Sequence, residues 1–248
     1  MGPRDKSSAL DAFREAVARF ELVEAPLEWE PEAEERCRRS LEETGLLLLG
    51  ETHGTCELPG IVLAVARGLG TRGVALEWSP ALRPLVERFL AGGELADPGT
   101  ANFWSGDGRI TAGHFALLRE LRPAPLVLFS EEVGPTDWSG RDFAMAKRLL
   151  ADRDGETPTL VVTGNLHAAL EPHRHGWPMG YHLVQRLPGL ATVSLRVLSG
   201  AIANLGVKRI GSAEPPAGGR LRVYLNRGEL VLDLPRATPA QVPARSGA

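Results

Sequence analysis

From Gly45 onward the chain repeats one pattern: a short, continuous apolar run followed by a longer amphipathic segment. The runs cover residues 46–49, 74–76, 126–129, 160–162 and 191–198. Between them lie ELPGIVLAVARGL, PALRPLVERFLAG, HFALLRELR and GRDFAMAKRLLAD. A strand that is apolar at every position is covered on both faces, which is the situation of a parallel sheet packed between helices. Near the end, LRVYLN and ELVLDL flank Arg227-Gly228 and read as a hairpin with those two residues at its turn. The expected fold is therefore α/β: a mainly parallel central sheet flanked by helices, with an N-terminal helical segment and a C-terminal β-hairpin.

The domain plan follows from the same pattern. Residues 1–44 read as two helices packed on the core. Leu10, Phe13, Val17 and Phe20 recur at helical spacing, with Ser7 or Ser8 as N-cap. EPEAEERCRRSLEE reads as a second, more solvated helix, separated from the first by the prolines of APLEWEP. Residues 45–235 form the α/β domain. Residues 236–248 are rich in Pro and Ala and are expected to be disordered.

Composition removes several classes of function. The 248 residues carry a net charge of -3 with both signs interspersed, so there is no basic face for nucleic acid. No apolar run is long enough to span a membrane, and MGPRDKSSALDAFREAV has no apolar export core, so a cytoplasmic protein with no membrane partner is expected. Nothing in the pattern sets an oligomeric state. The two cysteines, Cys37 and Cys56, have no metal-site spacing. Cys56 lies three residues after His53 and is read as filler of a helix's first turn in preference to a thiol nucleophile.

Four of the apolar runs end in residues capable of acid–base or ligand chemistry. LLLLG leads to Glu51 and His53, VAL to Glu77, LVLF to Ser130, Glu131 and Glu132, and LVVTG to Asn165 and His167. In open parallel sheets the ligand crevice lies beyond the carboxyl ends of the strands, so these four edges deliver their side chains to one place. There is no GxSxG elbow, P-loop or GxGxxG. Two readings remain open: water activated by His53 or His167 with Glu51 or Glu77 orienting it, or a divalent metal (Mn, Zn or Co) held by His53, His167, Glu51 and Glu77. Arg141, at the start of GRDFAMAKRLL, is a candidate for holding a substrate carboxylate or an oxyanion, with Asp142 as a helix cap. Asp107 and Arg109 are candidates for the pocket wall. His173 and His175, in a Pro/Gly-flanked loop, read as surface, and His114 and His182 as structural. Trp78, Trp104, Trp138 and Trp177 fall near the strand edges, where at least two are expected to pack in the core.

Several of these segments together resemble a known superfamily. GETHGTCEL is similar to the first signature of the erythromycin esterase family, in the shorter Gly-Glu-x-His form of the related ChaN-like and Tiki branches. VALEWSP, RDFAMAKRLL, VVTGNLHA and PMGYHL follow in the expected order, so the resemblance covers residues 46–187. It implies an α/β hydrolase cleaving an ester or a peptide bond, metal-dependent in the Tiki branch, with Glu51, His53, Glu77, Arg141 and His167 at the matching catalytic positions. Glu57, Arg109, Glu131 and Asn165 are the candidate substrate contacts, and a small molecule or a peptide is the expected substrate. The alternative is a non-catalytic binder of peptide or haem in the same crevice.

Overall fold

A computed structural model describes residues 3–130, 137–211 and 220–243. In chain order the elements are α1 (Pro3–Arg19), β1 (Leu27–Trp29), α2 (Pro31–Thr44), β2 (Leu46–Glu51), α3 (Leu58–Leu69), β3 (Gly73–Leu76), α4 (Arg83–Leu90), α5 (Ala112–Leu121), β4 (Leu126–Leu128) and α6 (Trp138–Asp152). They continue with β5 (Thr159–Gly164), α7 (Asn165–Ala168), α8 (Met179–Val184), β6 (Thr192–Val197), β7 (Ala201–Ala203), β8 (Val207–Arg209), β9 (Leu221–Asn226) and β10 (Glu229–Leu234).

Eight strands form one sheet in the order β1-β9-β10-β6-β2-β5-β3-β4. Every pairing in it is parallel except that of β9 with β10. The expected hairpin is that pair, and its turn residues Arg227 and Gly228 both have positive φ, as the right-handed twist of the strands requires. β1 was not legible as a strand, because three residues between two prolines give no periodicity. Its place at the sheet edge comes from pairing with β9.

All six residues of β2 and all six of β5 are buried, which explains the apolar runs 46–49 and 160–162 within them. Alternate side chains feed two cores. Leu47, Leu49, Leu160 and Val162 pack under α1, α3 and α5 with Phe13, Ile61 and Phe115. Leu46, Leu48 and Val161 pack on the opposite face with Met145, Leu149, Met179 and Leu183 from α6 and α8. α2 begins with a proline in its first turn and ends at Gly45 in the left-handed conformation, so the chain turns directly into β2.

The Pro/Ala-rich end is ordered through Pro243, contrary to its composition. Its backbone finds partners that low-complexity chain normally lacks. Ala240 N–H donates to Gly54 O at 2.9 Å, Ala112 N–H to Gln241 O at 2.9 Å, and Cys56 N–H to Thr238 O at 2.8 Å. The strap thus lies across the loop that follows β2.

Candidate active site

The strand order places β2, β5 and β3 side by side, so the residues that end these strands share one edge. Glu51 is the last residue of β2, and its register partner on β5 is Gly164. Glu77 follows β3, and His167 lies on α7 immediately after β5. The strand-edge expectation for Glu51, His53, Glu77 and His167 is met by a single cluster.

Each imidazole is backed by a carboxylate. Glu51 Oε1 lies 2.6 Å from His53 Nδ1. Asp142 Oδ2 and Oδ1 lie 2.8 and 2.9 Å from His167 Nδ1. These contacts place the Nδ1 proton between ring and carboxylate and leave each Nε2 directed away from it. Both Nε2 atoms flank Glu77: His53 Nε2 is 3.9 Å from Oε2, and His167 Nε2 is 3.8 Å from Oε1. Glu77 is itself fixed. Thr163 Oγ1 donates to Oε2 at 2.6 Å, Gly164 N–H donates to the same oxygen at 2.9 Å, and Arg109 Nη1 donates to Oε1 at 3.2 Å. Arg109 is clamped in turn by Asp107, at 2.8 Å from Nε.

Local sequence explains why His53 points inward. Gly54 has φ +85, and a Cβ there would lie 1.9 Å from Ala203 O. Only glycine lets the chain turn so close to β7. Gly54 N–H donates to Gly108 O, and its carbonyl accepts from Ala203 and Ala240 N–H. The His53 turn is therefore bound to the Asp107–Arg109 loop, β7 and the C-terminal strap together. Gly164 has a different role: a Cβ on it would sit 3.1 Å from His53 Nε2 and 3.5 Å from His167 Cδ2, so glycine keeps the space between the rings open.

The charges are set by these neighbours. Burial alone would raise the Glu77 carboxyl, but the His167, His53 and Arg109 charges and the Thr163 hydrogen bond outweigh it and bring it down to about 2. Burial alone would lower His53, but the charge of Glu51, its hydrogen bond and the charge of Glu77 raise it to about 9. At neutral pH Glu77 is ionised and His53 is a cation. Burial pushes His114, under Trp78 and hydrogen-bonded to Thr111 at 2.8 Å, down to about 3; it is a neutral structural residue, as expected.

α6 supplies the rest. Arg141 Nη2 lies 3.2 Å from His167 Nε2, so it belongs to the site. Asp142 is not the helix cap. That role falls to Asp137, whose Oδ1 accepts from Gly140 N–H at 2.8 Å, while Asp142 is fully buried behind His167. The missed signal is the spacing of Asp142 with Met145, Ala146 and Leu149, which puts an acid on the buried stripe of an amphipathic helix.

Two expected substrate contacts, Glu57 and Asn165, do not join the cluster. Glu57 accepts from Thr238 N–H and Oγ1 and anchors the strap. With Cys56 it borders a separate cavity of about 620 Å³ under the 20–26 loop. Asn165 Nδ2 donates to Leu195 O at 2.8 Å and ties α7 to β6. Glu131 lies outside the described residues. Trp78 and Trp104 are core residues, whereas Trp177 is exposed and Trp138 sits beside His167.

A metal fits this donor set poorly. Glu51 stands behind His53, on the Nδ1 side, and so cannot share an ion with His53 Nε2. Both Glu77 oxygens already accept hydrogen bonds, and the Arg141 cation lies against the His167 lone pair. Among the described residues no three His, Cys, Asp or Glu side chains converge as a metal site.

No family model and no curated protein matches the sequence. Among solved structures the chain is similar to a Bacillus cereus protein, with TM-score 0.61 and 9% identity over 96% of this chain and 99% of that one. It is also similar to a succinoglycan biosynthesis protein, with TM-score 0.52 and 10% identity over 97% of this chain and 100% of that one. At such identities these likenesses establish the fold alone, which is α/β with a mainly parallel sheet.

Proposed function

We propose that the protein is a hydrolase that cleaves an ester or amide bond with water activated by histidine, as the resemblance to the erythromycin esterase, ChaN-like and Tiki superfamily implies. The observation that carries this reading is the pair of carboxylate-backed imidazoles whose Nε2 atoms flank one ionised glutamate, at 3.9 and 3.8 Å. Such an arrangement offers an acid and a base in one place.

In this reading His167 is the base. Its Nε2 takes a proton from water as the water oxygen bonds to the carbonyl carbon, and Asp142 stabilises the imidazolium formed. The carbonyl electron pair moves to oxygen, where the Arg141 guanidinium is placed to meet the negative charge. Arg141 shields His167 Nε2 in the free protein and is drawn to the substrate oxygen on binding. Collapse of the intermediate expels an alcohol or amine, which takes a proton from His53 Nε2. Proton exchange with solvent then resets both rings. Glu77 holds the two imidazoles in register from between them. No step is routed through a metal, since the donor set does not suit one.

The test is a panel of p-nitrophenyl esters and fluorogenic peptide amides, run with and without EDTA on the full chain. His53→Gln and His167→Gln are expected to abolish turnover while melting within a few degrees of the parent. A double variant with parental turnover defeats the proposal. Absence of turnover, combined with a Soret band or tight peptide binding, supports the binding-protein alternative instead.

A further inference from the structure

Within one turn of α6, Trp138, Arg141 and Asp142 occupy positions i, i+3 and i+4, which share a helix face. All three meet His167. Asp142 holds Nδ1, Arg141 contacts Nε2, and the Trp138 indole lies flat on the ring, with centroids 4.6 Å apart and planes 5° from parallel. The Arg141 guanidinium carbon also lies 4.8 Å from the Trp138 ring centroid, so the indole supports two of the groups that face the crevice.

We propose that Trp138 is a positioning residue for His167: its face fixes the plane of the imidazole so that Nδ1 stays on Asp142 while Nε2 stays on the crevice. This inference rests on the reading of His167 as the base. The imidazole can still swing about its Cβ–Cγ bond within the tolerance of the hydrogen bonds at its two nitrogens. A flat contact removes this freedom, and stacked aromatic rings in this distance range attract beyond simple burial. The indole face also favours the positive charge that His167 gains when it accepts a proton.

A second observation separates the face from the N–H. Trp138 Nε1 is buried and has no hydrogen-bond partner among the described residues, so none of these holds the indole by its donor. A benzene ring should therefore do most of its work. Nearby rings do not replace it: His175 is tilted by 34° at 5.5 Å and His173 meets the indole edge-on at 5.6 Å, both against Trp138 itself.

The experiment compares Trp138→Phe, which keeps a flat face, with Trp138→Met, which is apolar and flexible. Two quantities are read on the full-length protein. One is the downfield Nδ1 proton resonance of His167, assigned by its loss in His167→Gln. The other is kcat and KM on whichever probe ester or peptide amide the parent cleaves. Trp138→Phe is expected to keep a sharp resonance and a kcat within about threefold. Trp138→Met is expected to broaden or lose the resonance and to lose kcat by about tenfold to a hundredfold at nearly constant KM, the usual cost of a misplaced catalytic group. Trp138→Leu replaces Trp138→Met if the latter does not fold. A non-aromatic variant with a sharp resonance and parental kcat overturns the proposal. If the parent cleaves nothing, the hydrolase reading fails, and the resonance alone still decides the role of Trp138.

Discussion

Replacing Asp142 by asparagine changes the charge and donor pattern behind His167 with almost no change of shape, and its consequences follow from the hydrogen bonds. Asp142 is fully buried, and Oδ2 accepts from Met179 N–H at 2.8 Å as well as facing His167 Nδ1. A buried backbone donor left unpaired costs about 1–3 kcal/mol, so the new amide places its oxygen at that position. Its NH2 group then occupies the place of Oδ1, 2.9 Å from His167 Nδ1, where it competes with the amide oxygen for the ring nitrogen and favours the tautomer with a bare Nδ1. The imidazole proton moves to Nε2, and the nitrogen that should take a proton from water already carries one. General-base catalysis contributes about 10²–10⁴ in rate. At about 1.36 kcal/mol per tenfold, D142N should therefore lose about 3–5 kcal/mol of transition-state stabilisation. Stability should change little. The packing is kept, and the exchange of one hydrogen bond for a weaker one is worth about 1 kcal/mol, or about 2–4 °C in Tm for a chain of this size. The assay is kcat/KM on a cleaved probe substrate, paired with a melting curve and the tautomer of His167 from nitrogen chemical shifts. A D142N protein with kcat/KM within threefold of the parent and the proton still on Nδ1 would refute the reasoning.

Three further outcomes are expected. The interaction that raises His53 to about 9 favours its charged form, so it is fully present below the ordinary value of 6.5 and is lost as pH rises through 9. The kcat/KM profile should fall on an alkaline limb near 9, and the ring-nitrogen chemical shifts of His53 should titrate over the same range; a profile flat through that range would sink the idea. Gly164→Ala places a methyl group in the gap between the imidazoles, 3.1 Å from His53 Nε2, and should lower kcat/KM by at least about tenfold. The φ of Gly164 is an ordinary -57, so Tm should move little, and parental activity in a folded variant would show the gap to be unused. Ending the chain after Pro235 removes the strap's backbone bonds at Gly54, Cys56, Ala112, Ser199 and Ala201. At about 1 kcal/mol each the loss is about 5 kcal/mol, and differential scanning calorimetry should show Tm lower by about 10–20 °C. A change under 2 °C would mean the strap contributes nothing.

What could be read from the sequence, and what could not, divides along a physical line. Strands β2, β3 and β5 were visible because a chain buried on both faces is largely apolar, and few other structures ask for that. The four edge residues Glu51, His53, Glu77 and His167 were visible for a related reason: parallel strands all end on the same side, so position along the chain became position in space. Nothing comparable exists for a helix that approaches from outside the sheet. Asp142 looked like a cap because an acid near a helix start is usually one, and Trp138 looked like core or rim because an indole suits both. Their common purpose depends on how α6 docks against α7, which local spacing does not encode. Misplacement of Glu57 and Asn165 has the same origin. Both lie within a few residues of an edge histidine, yet each satisfies a backbone partner far along the chain, Thr238 for Glu57 and Leu195 for Asn165. The strap shows the converse. Residues 237–241 look disordered by composition because they have no core-forming side chains, but order here comes from backbone bonds to Gly54, Cys56 and Ala112, which any sequence without a proline at those donors could make. The His53 turn is held by those bonds, so the placement of the His53 imidazole depends in part on residues whose composition gives no hint of it.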